Sequence, residues 1–192
     1  MDGLMRVMLS GCSGGGKSTL LFELAERGHA VVAEAALRVL REEQQGEGRA
    51  LPWVDAMAFG RRALTMSIAD HEAAHGLTFF DRGVVDAGVV ITARGGSLPV
   101  EVSHYRYDHV FLAPPWPEIY EVNEDRRHSF EKAVRDYERI QSAYLNAGYE
   151  PIVLPRDNVT ARADFVLARV TDSCRPLPTP KRAFPNPARR HS

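Results

Sequence analysis

Cysteine is scarce in this chain. Cys12 and Cys174 are the only two in 192 residues, too few for a domain knit together by disulfides. Long apolar runs are missing too. None approaches the roughly 20 residues a membrane-crossing helix needs, so no membrane span is expected. Met1 to Arg6 is too short and too charged for a signal peptide. There are no internal repeats, and the net charge is only −1. That charge is unevenly placed. Five of the 24 basic residues (Arg175, Lys181, Arg182, Arg189 and Arg190) fall in 175–192, a stretch without acids, which leaves 19 basic against 25 acidic residues in the body. An acidic body argues against a broad nucleic-acid-binding face on the folded part. The length suits one domain, and an apolar content of 44% is enough for a substantial core.

What the chain does have is a distinctive stretch at residues 5–19, MRVMLSGCSGGGKST. An apolar run ends at Ser10, and Gly11-Cys12-Ser13-Gly14-Gly15-Gly16-Lys17-Ser18 then fits Gly-x-x-x-x-Gly-Lys-Ser, the phosphate-binding loop. Gly11 and Gly16 permit backbone angles that side chains forbid, so successive N–H groups can point at phosphate oxygens. The helix beginning near Lys17 adds the positive end of its dipole. In this pattern Lys17 reaches the β- and γ-phosphates and the Ser18 hydroxyl ligates Mg²⁺. Thr19 bonds the α-phosphate region or simply begins the helix. A disulfide at Cys12 would obstruct the loop, so both cysteines read as thiols of a reducing cytosol and a cytoplasmic protein is expected.

The remaining chain alternates strand and helix. Leu20, Leu21 and Leu24 give the first helix an apolar face, and Gly28 follows as its cap. His29 to Ala33 reads as a short buried strand, with Glu34 immediately after it and a helix over Ala35–Glu43. Glu34 therefore sits where open α/β sheets place ligands, although a first-turn acid favoured by the helix dipole is the plainer explanation. Pro52 is expected to start a helix running to about His75, stopped by Gly76. Leu77–Asp81 and Tyr107–Ala113 read as strands three and four, Ser129 as the cap of an amphipathic helix, Pro151–Leu154 as strand five and Val159–Ser173 as the last helix. The pattern predicts an α/β fold, a five-stranded parallel sheet with helices on both faces, over residues 1–174. Residues 175–192, with five prolines and the basic cluster, read as a disordered tail.

His71-Glu72-Ala73-Ala74-His75 matches the His-Glu-x-x-His zinc signature in form. No third ligand follows at the extended spacing, because Gly76 to Phe80 turns straight into a strand. His75 near a helix C-terminus also has a dipole reason to be there. A zinc site is not expected.

Asp81 ends the strand expected beside the loop strand, the place of the second Mg²⁺-organising acid. Motor ATPases commonly follow that Asp with Glu. Here Arg82 and Gly83 follow, and an Arg at this point can hold a substrate or a phosphate by its planar fork. Asp81-Arg82-Gly83, with Glu34 after strand two, resembles the nucleoside kinases of the P-loop class. More closely, the chain resembles small single-domain AAA-type P-loop ATPases related to nicotinamide riboside kinase. The matching stretches are Gly11–Thr19, Val32–Ala36, Leu51–Trp53, Phe79–Gly83, Tyr107–Pro117, Asp125–Arg127 and Gly148–Tyr149.

That resemblance implies Glu34 as general base, Asp81 as Mg²⁺ partner and Arg82 as substrate clamp. It places Arg126 and Arg127 in a lid over the phosphates, although a solvated charged turn would look the same. Pro155 and Arg156 are expected near the base, with Arg162 a weaker candidate, and Trp53 in the acceptor pocket or the core. The leading expectation is a Mg²⁺-dependent kinase passing the γ-phosphate of ATP to a nucleoside-like small-molecule hydroxyl. The alternative is a switch that hydrolyses ATP or GTP and reports to a partner, with the basic tail as contact. The Asn-Lys-x-Asp signature of regulatory GTPases is missing, which favours ATP and leaves GTP possible.

Overall fold

The computed structural model describes residues 4–98, 100–121 and 129–173. Strand β1 (Met5–Gly11) leads through the glycine-rich turn into helix α1 (Lys17–Glu26). Strand β2 (Ala30–Val32) and helices α2 (Ala35–Gln45) and α3 (Ala56–Ala73) follow. Strand β3 (Leu77–Asp81), helix α4 (Val84–Thr92) and strand β4 (His109–Ala113) come next. Helix α5 (Phe130–Asn146), strand β5 (Ile152–Val153) and helix α6 (Val159–Ser173) complete the order.

All five strands are parallel, in the order β2-β3-β1-β4-β5. The expected α/β sheet is thus the observed one. Burial on both faces explains why β1, β3 and β4 read as continuous apolar runs rather than alternating ones. Val7, Leu9, Phe79 and Phe111 pack on one face against Leu20 and Leu24 of α1 and Ala163 and Val166 of α6. Met8, Phe80, Val110 and Leu112 face the other way, toward Ala133, Tyr137, Ile140 and Tyr144 of α5. Among the described residues no helix is long and apolar enough to cross a membrane.

Several boundaries differ from expectation for identifiable reasons. Helix α3 starts at Ala56 rather than Pro52, because the Asp55 carboxylate accepts from the Ala58 amide at 2.9 Å and caps it there. Pro52 instead sits in a turn closed by Val54 and Asp55 amides on the Leu51 carbonyl. Trp53 on that turn is 64% exposed, outside the core, and lines neither cavity at the C-terminal edge of the sheet. Strand β2 is not buried: it is a sheet edge, with Ala30 and Val31 exposed. Ser129 caps α5 as its sequence implies, accepting from Lys132 N at 3.4 Å. Cys174, the expected lid residues Arg126 and Arg127, and the tail lie outside the described residues.

The two histidines do not share a helical turn. Helix α3 ends at Ala73 and Ala74 is extended, so His75 is off the helix. His71 is buried edge-on against Tyr105 and Tyr107, and its Nε2 donates to the Arg106 carbonyl at 2.7 Å. Burial lowers its pKa, favouring the neutral ring. No group of three or more His, Cys, Asp or Glu side chains is placed to hold a metal among the described residues.

Candidate active site

The sheet brings the C-terminal ends of β1, β2 and β3 to one edge, where α/β sheets gather their ligands. In the β1–β3 register Leu9 stands opposite Asp81, and in β1–β4 Gly11 stands opposite Ala113. The turn after β1 depends on glycine. Gly11 has φ +107°, and a Cβ there would lie 2.4 Å from the Ala113 carbonyl oxygen. Gly16, at φ +72°, occupies the N-cap position of α1 without any side-chain cap. The first amides of α1 are consequently available to an outside acceptor.

Lys17 is buried, and its Nζ donates to the Cys12 carbonyl at 2.8 Å, bridging the turn. Its pKa falls from 10.5 to about 8, through burial first and the charge of Arg82 second. The Cys12 thiol itself faces inward among the side chains of α5 and lines neither cavity of the site.

Ser18 Oγ donates to Asp81 Oδ2 at 2.9 Å. The other carboxylate oxygen, Asp81 Oδ1, is buried with no hydrogen-bond partner among the described residues. A buried carboxylate oxygen left unpaired beside a hydroxyl fits a hard cation, which prefers oxygen ligands and retains several waters. Ser18 and Asp81 would hold Mg²⁺ here.

Beyond Asp81 the backbone turns sharply. Arg82 is the one described non-glycine residue with positive φ, at +59°. Its amide donates to the Leu9 carbonyl at 2.9 Å, and its side chain is held from two sides: Nε lies 3.3 Å from Glu34 Oε1, and a terminal nitrogen lies 3.1 Å from Asp86 Oδ1. Burial works against the Arg82 charge, but Glu34, Asp86 and Asp81 outweigh it and raise the pKa. Glu34, at the N-cap of α2, makes no capping bond, contrary to the plainer reading of it as an ordinary helix-start acid. Burial raises its pKa, and Arg82 opposes that rise.

Asp86 is the residue that the sequence left unassigned and the packing makes central. One oxygen accepts from Ser10 Oγ and Arg82; the other accepts from the Gly83 amide at 3.1 Å and Tyr144 Oη at 2.7 Å. Ser10, a polar residue closing an apolar strand, was the available sequence signal. Its partner lies on another element, so the signal alone could not be read.

Arg162 is buried, and its guanidinium donates to the carbonyls of Gly15 (2.9 Å) and Gly16 (3.4 Å). Burial lowers its pKa. It bridges α6 to the loop and stands over the Trp116 ring at 5.6 Å. Pro155 and Arg156 line neither cavity of the site; Asp157, Asn158, Val159 and Arg162 occupy that place.

Two cavities meet here. One of about 630 Å³ runs along the loop past Gly16, Ser18, Thr19, Trp116, Asn158 and Arg162. The other, about 520 Å³, lies between α2 and α3 on one side and α4 and α5 on the other. Ser13, Glu34, Leu37 and Arg82 line both. The site therefore places a phosphate cradle, a buried carboxylate and a fixed guanidinium at the junction of two binding spaces.

A glycine-rich loop after the central strand of a parallel sheet, with Lys17, Ser18 and Asp81 in this arrangement, defines a P-loop protein of the phosphotransferase and ATPase class. A family model described as an AAA domain matches residues 6–162, and the chain belongs to that family. No protein of curated function matches it in sequence. Among solved structures it is similar to shikimate kinase from Acinetobacter baumannii in complex with shikimate. That likeness has a TM-score of 0.62 and 16% identity, covering 90% of this chain and 96% of the other. Deoxyadenosine kinase from M. mycoides with bound dATP is similar at a TM-score of 0.53 and 14% identity, over 87% and 99% of the two chains. At these identities the likeness is one of fold.

Proposed function

We propose that this protein is a Mg²⁺-dependent small-molecule kinase, transferring the γ-phosphate of ATP to a hydroxyl of an acceptor. The observation that carries the reading is the junction of the two cavities at Glu34 and Arg82. A hydrolytic switch needs only the first cavity. A transferase needs a second one opening on the same reacting centre.

In this reading amides of the loop between Ser13 and Ser18 and the start of α1 bind the phosphates, with Lys17 at the β- and γ-oxygens. Mg²⁺, when bound by Ser18 and Asp81, supplies charge neutralisation on the phosphate oxygens. Trp116, Asn158 and Arg162 would border the remainder of the nucleotide. The acceptor lies in the second cavity with its hydroxyl at Glu34. Glu34 takes the hydroxyl proton, the oxygen forms a bond to Pγ, and the bond from Pγ to the β,γ-bridging oxygen breaks, releasing ADP. Arg82, fixed by Glu34 and Asp86, offers a preset cation to the transferring group without reorganisation. Burial suits Glu34 to this task, because a raised pKa makes the carboxylate a stronger base. The two solved structures of similar fold are a shikimate kinase and a deoxyadenosine kinase, which agrees with this reading.

The test is incubation with Mg²⁺ and γ-labelled ATP, with and without a pool of nucleosides and other hydroxyl metabolites, using Lys17→Ala as control. Label in an organic acceptor with the native protein alone supports the kinase. Label released only as inorganic phosphate, at a rate indifferent to the pool, overturns it in favour of slow hydrolysis.

A further inference from the structure

The second cavity is uneven along its length. At its reacting end are Glu34 and Arg82, and its walls are largely apolar, with Leu40, Phe59, Ala63 and Val90 among them. Helix α4 begins at that end, and Arg94 follows its other end, about 14 Å away at 1.5 Å per residue. Arg94 lines that far part, and Lys132, Asp136 and Arg139 of α5 line the same cavity. Lys132 Nζ lies 2.6 Å from Asp136 Oδ2, and an Arg139 terminal nitrogen lies 3.1 Å from Oδ1, so a single carboxylate serves two cations. Arg94 has no side-chain partner among the described residues, and it is exposed. Apart from the Glu34, Arg82 and Asp86 cluster, the described lining carries three cations and one acid, the reverse of the balance in residues 1–174, where acids exceed bases.

Among the described residues the cavity also holds no Asn or Gln side chain. A nucleobase edge presents donors and acceptors together, and amide side chains are the usual neutral match for it. A carboxylate or phosphate asks only for donors, which is what Arg94, Lys132 and Arg139 offer. The pairs with Asp136 are exposed contacts within one helix, weak enough to be given up to a ligand anion.

We propose that the acceptor is a hydroxy compound carrying an anionic group, a carboxylate or a phosphate, with its hydroxyl at Glu34 and its anion seated by Arg94, Lys132 and Arg139. The proposal rests on the kinase reading and narrows it, since a neutral nucleoside would leave these cations unused. The apolar walls between the two ends take the body of the molecule, and a cavity of about 520 Å³ suits a ring-sized one.

The experiment uses the full chain with Mg²⁺, γ-labelled ATP and three separate acceptor pools: neutral nucleosides and polyols, hydroxycarboxylates, and sugar and nucleoside phosphates. Label entering one of the anionic pools at least about tenfold faster than the neutral pool is expected, and the pool concerned tells carboxylate from phosphate. Label entering neutral acceptors as fast or faster overturns the proposal and leaves the kinase intact. Label entering none overturns the kinase and this proposal with it. With the anionic acceptor in hand, Arg94→Gln is expected to raise KM by about tenfold, the scale of one charge-assisted contact, with kcat within about twofold. Arg94→Lys, which keeps the charge, recovers most of that loss. An unchanged KM in Arg94→Gln, or an equal loss in both variants, overturns the assignment.

Discussion

The Glu34 carboxylate and the Arg82 guanidinium meet at 3.3 Å, one following β2 and the other following β3. Both are largely buried, and Asp86 holds the guanidinium from its other side. The pair gives the site a base and a cation that are already in place. It also ties the edge strand to its neighbour β3 at the point where the two cavities join.

If Glu34 accepts the acceptor proton, Glu34→Gln lowers kcat by about 10²–10⁴-fold while ATP still binds. In the native protein the rate falls on acidification through a pKa above the ordinary carboxylate range, because burial raises that of Glu34. Steady-state rates across pH, with nucleotide affinity measured alongside, decide it. A native-like rate in Glu34→Gln would remove the residue from the mechanism.

Lys17 predicts a proton linked to nucleotide binding. Its pKa of about 8 in the protein alone rises toward the ordinary lysine value when phosphates approach, since their charge favours the ammonium. Below pH 8 the lysine is charged in both states and affinity is insensitive to pH on this account. Above it, binding takes up a proton and affinity weakens as pH rises, by at most tenfold per unit. Titration calorimetry at pH 9 in buffers of different ionisation heat measures the uptake directly. Lys17→Met should abolish it, and equal heats in all buffers for the native protein would contradict the linkage.

Tyr144 tests the hub under Arg82. Tyr144→Phe removes one donor from the buried Asp86 carboxylate and keeps the ring packing against Tyr149. A hydrogen bond to a charged group implies a loss on the order of 1.5–3 kcal/mol in urea unfolding. A change below about 0.5 kcal/mol would mean that Asp86 is sufficiently held by Ser10, Arg82 and the Gly83 amide.

The loop from Gly11 to Ser18, the alternation of strand and helix, and the strand-end positions of Asp81 and Glu34 were all legible in the sequence. These are local properties: glycine spacing, apolar periodicity and capping act over a few neighbouring residues and need no partner from elsewhere. Boundaries shifted where a local competitor intervened, as when Asp55 rather than Pro52 set the start of α3. Tertiary structure alone decided the rest. It made β2 an edge, took Asp86 into a hub with Ser10 and Tyr144, set Arg162 against the loop carbonyls, and opened a second cavity at Glu34. Each of these joins side chains far apart in the chain. Their proximity follows from how the helices pack across the sheet, which no stretch of neighbouring residues encodes.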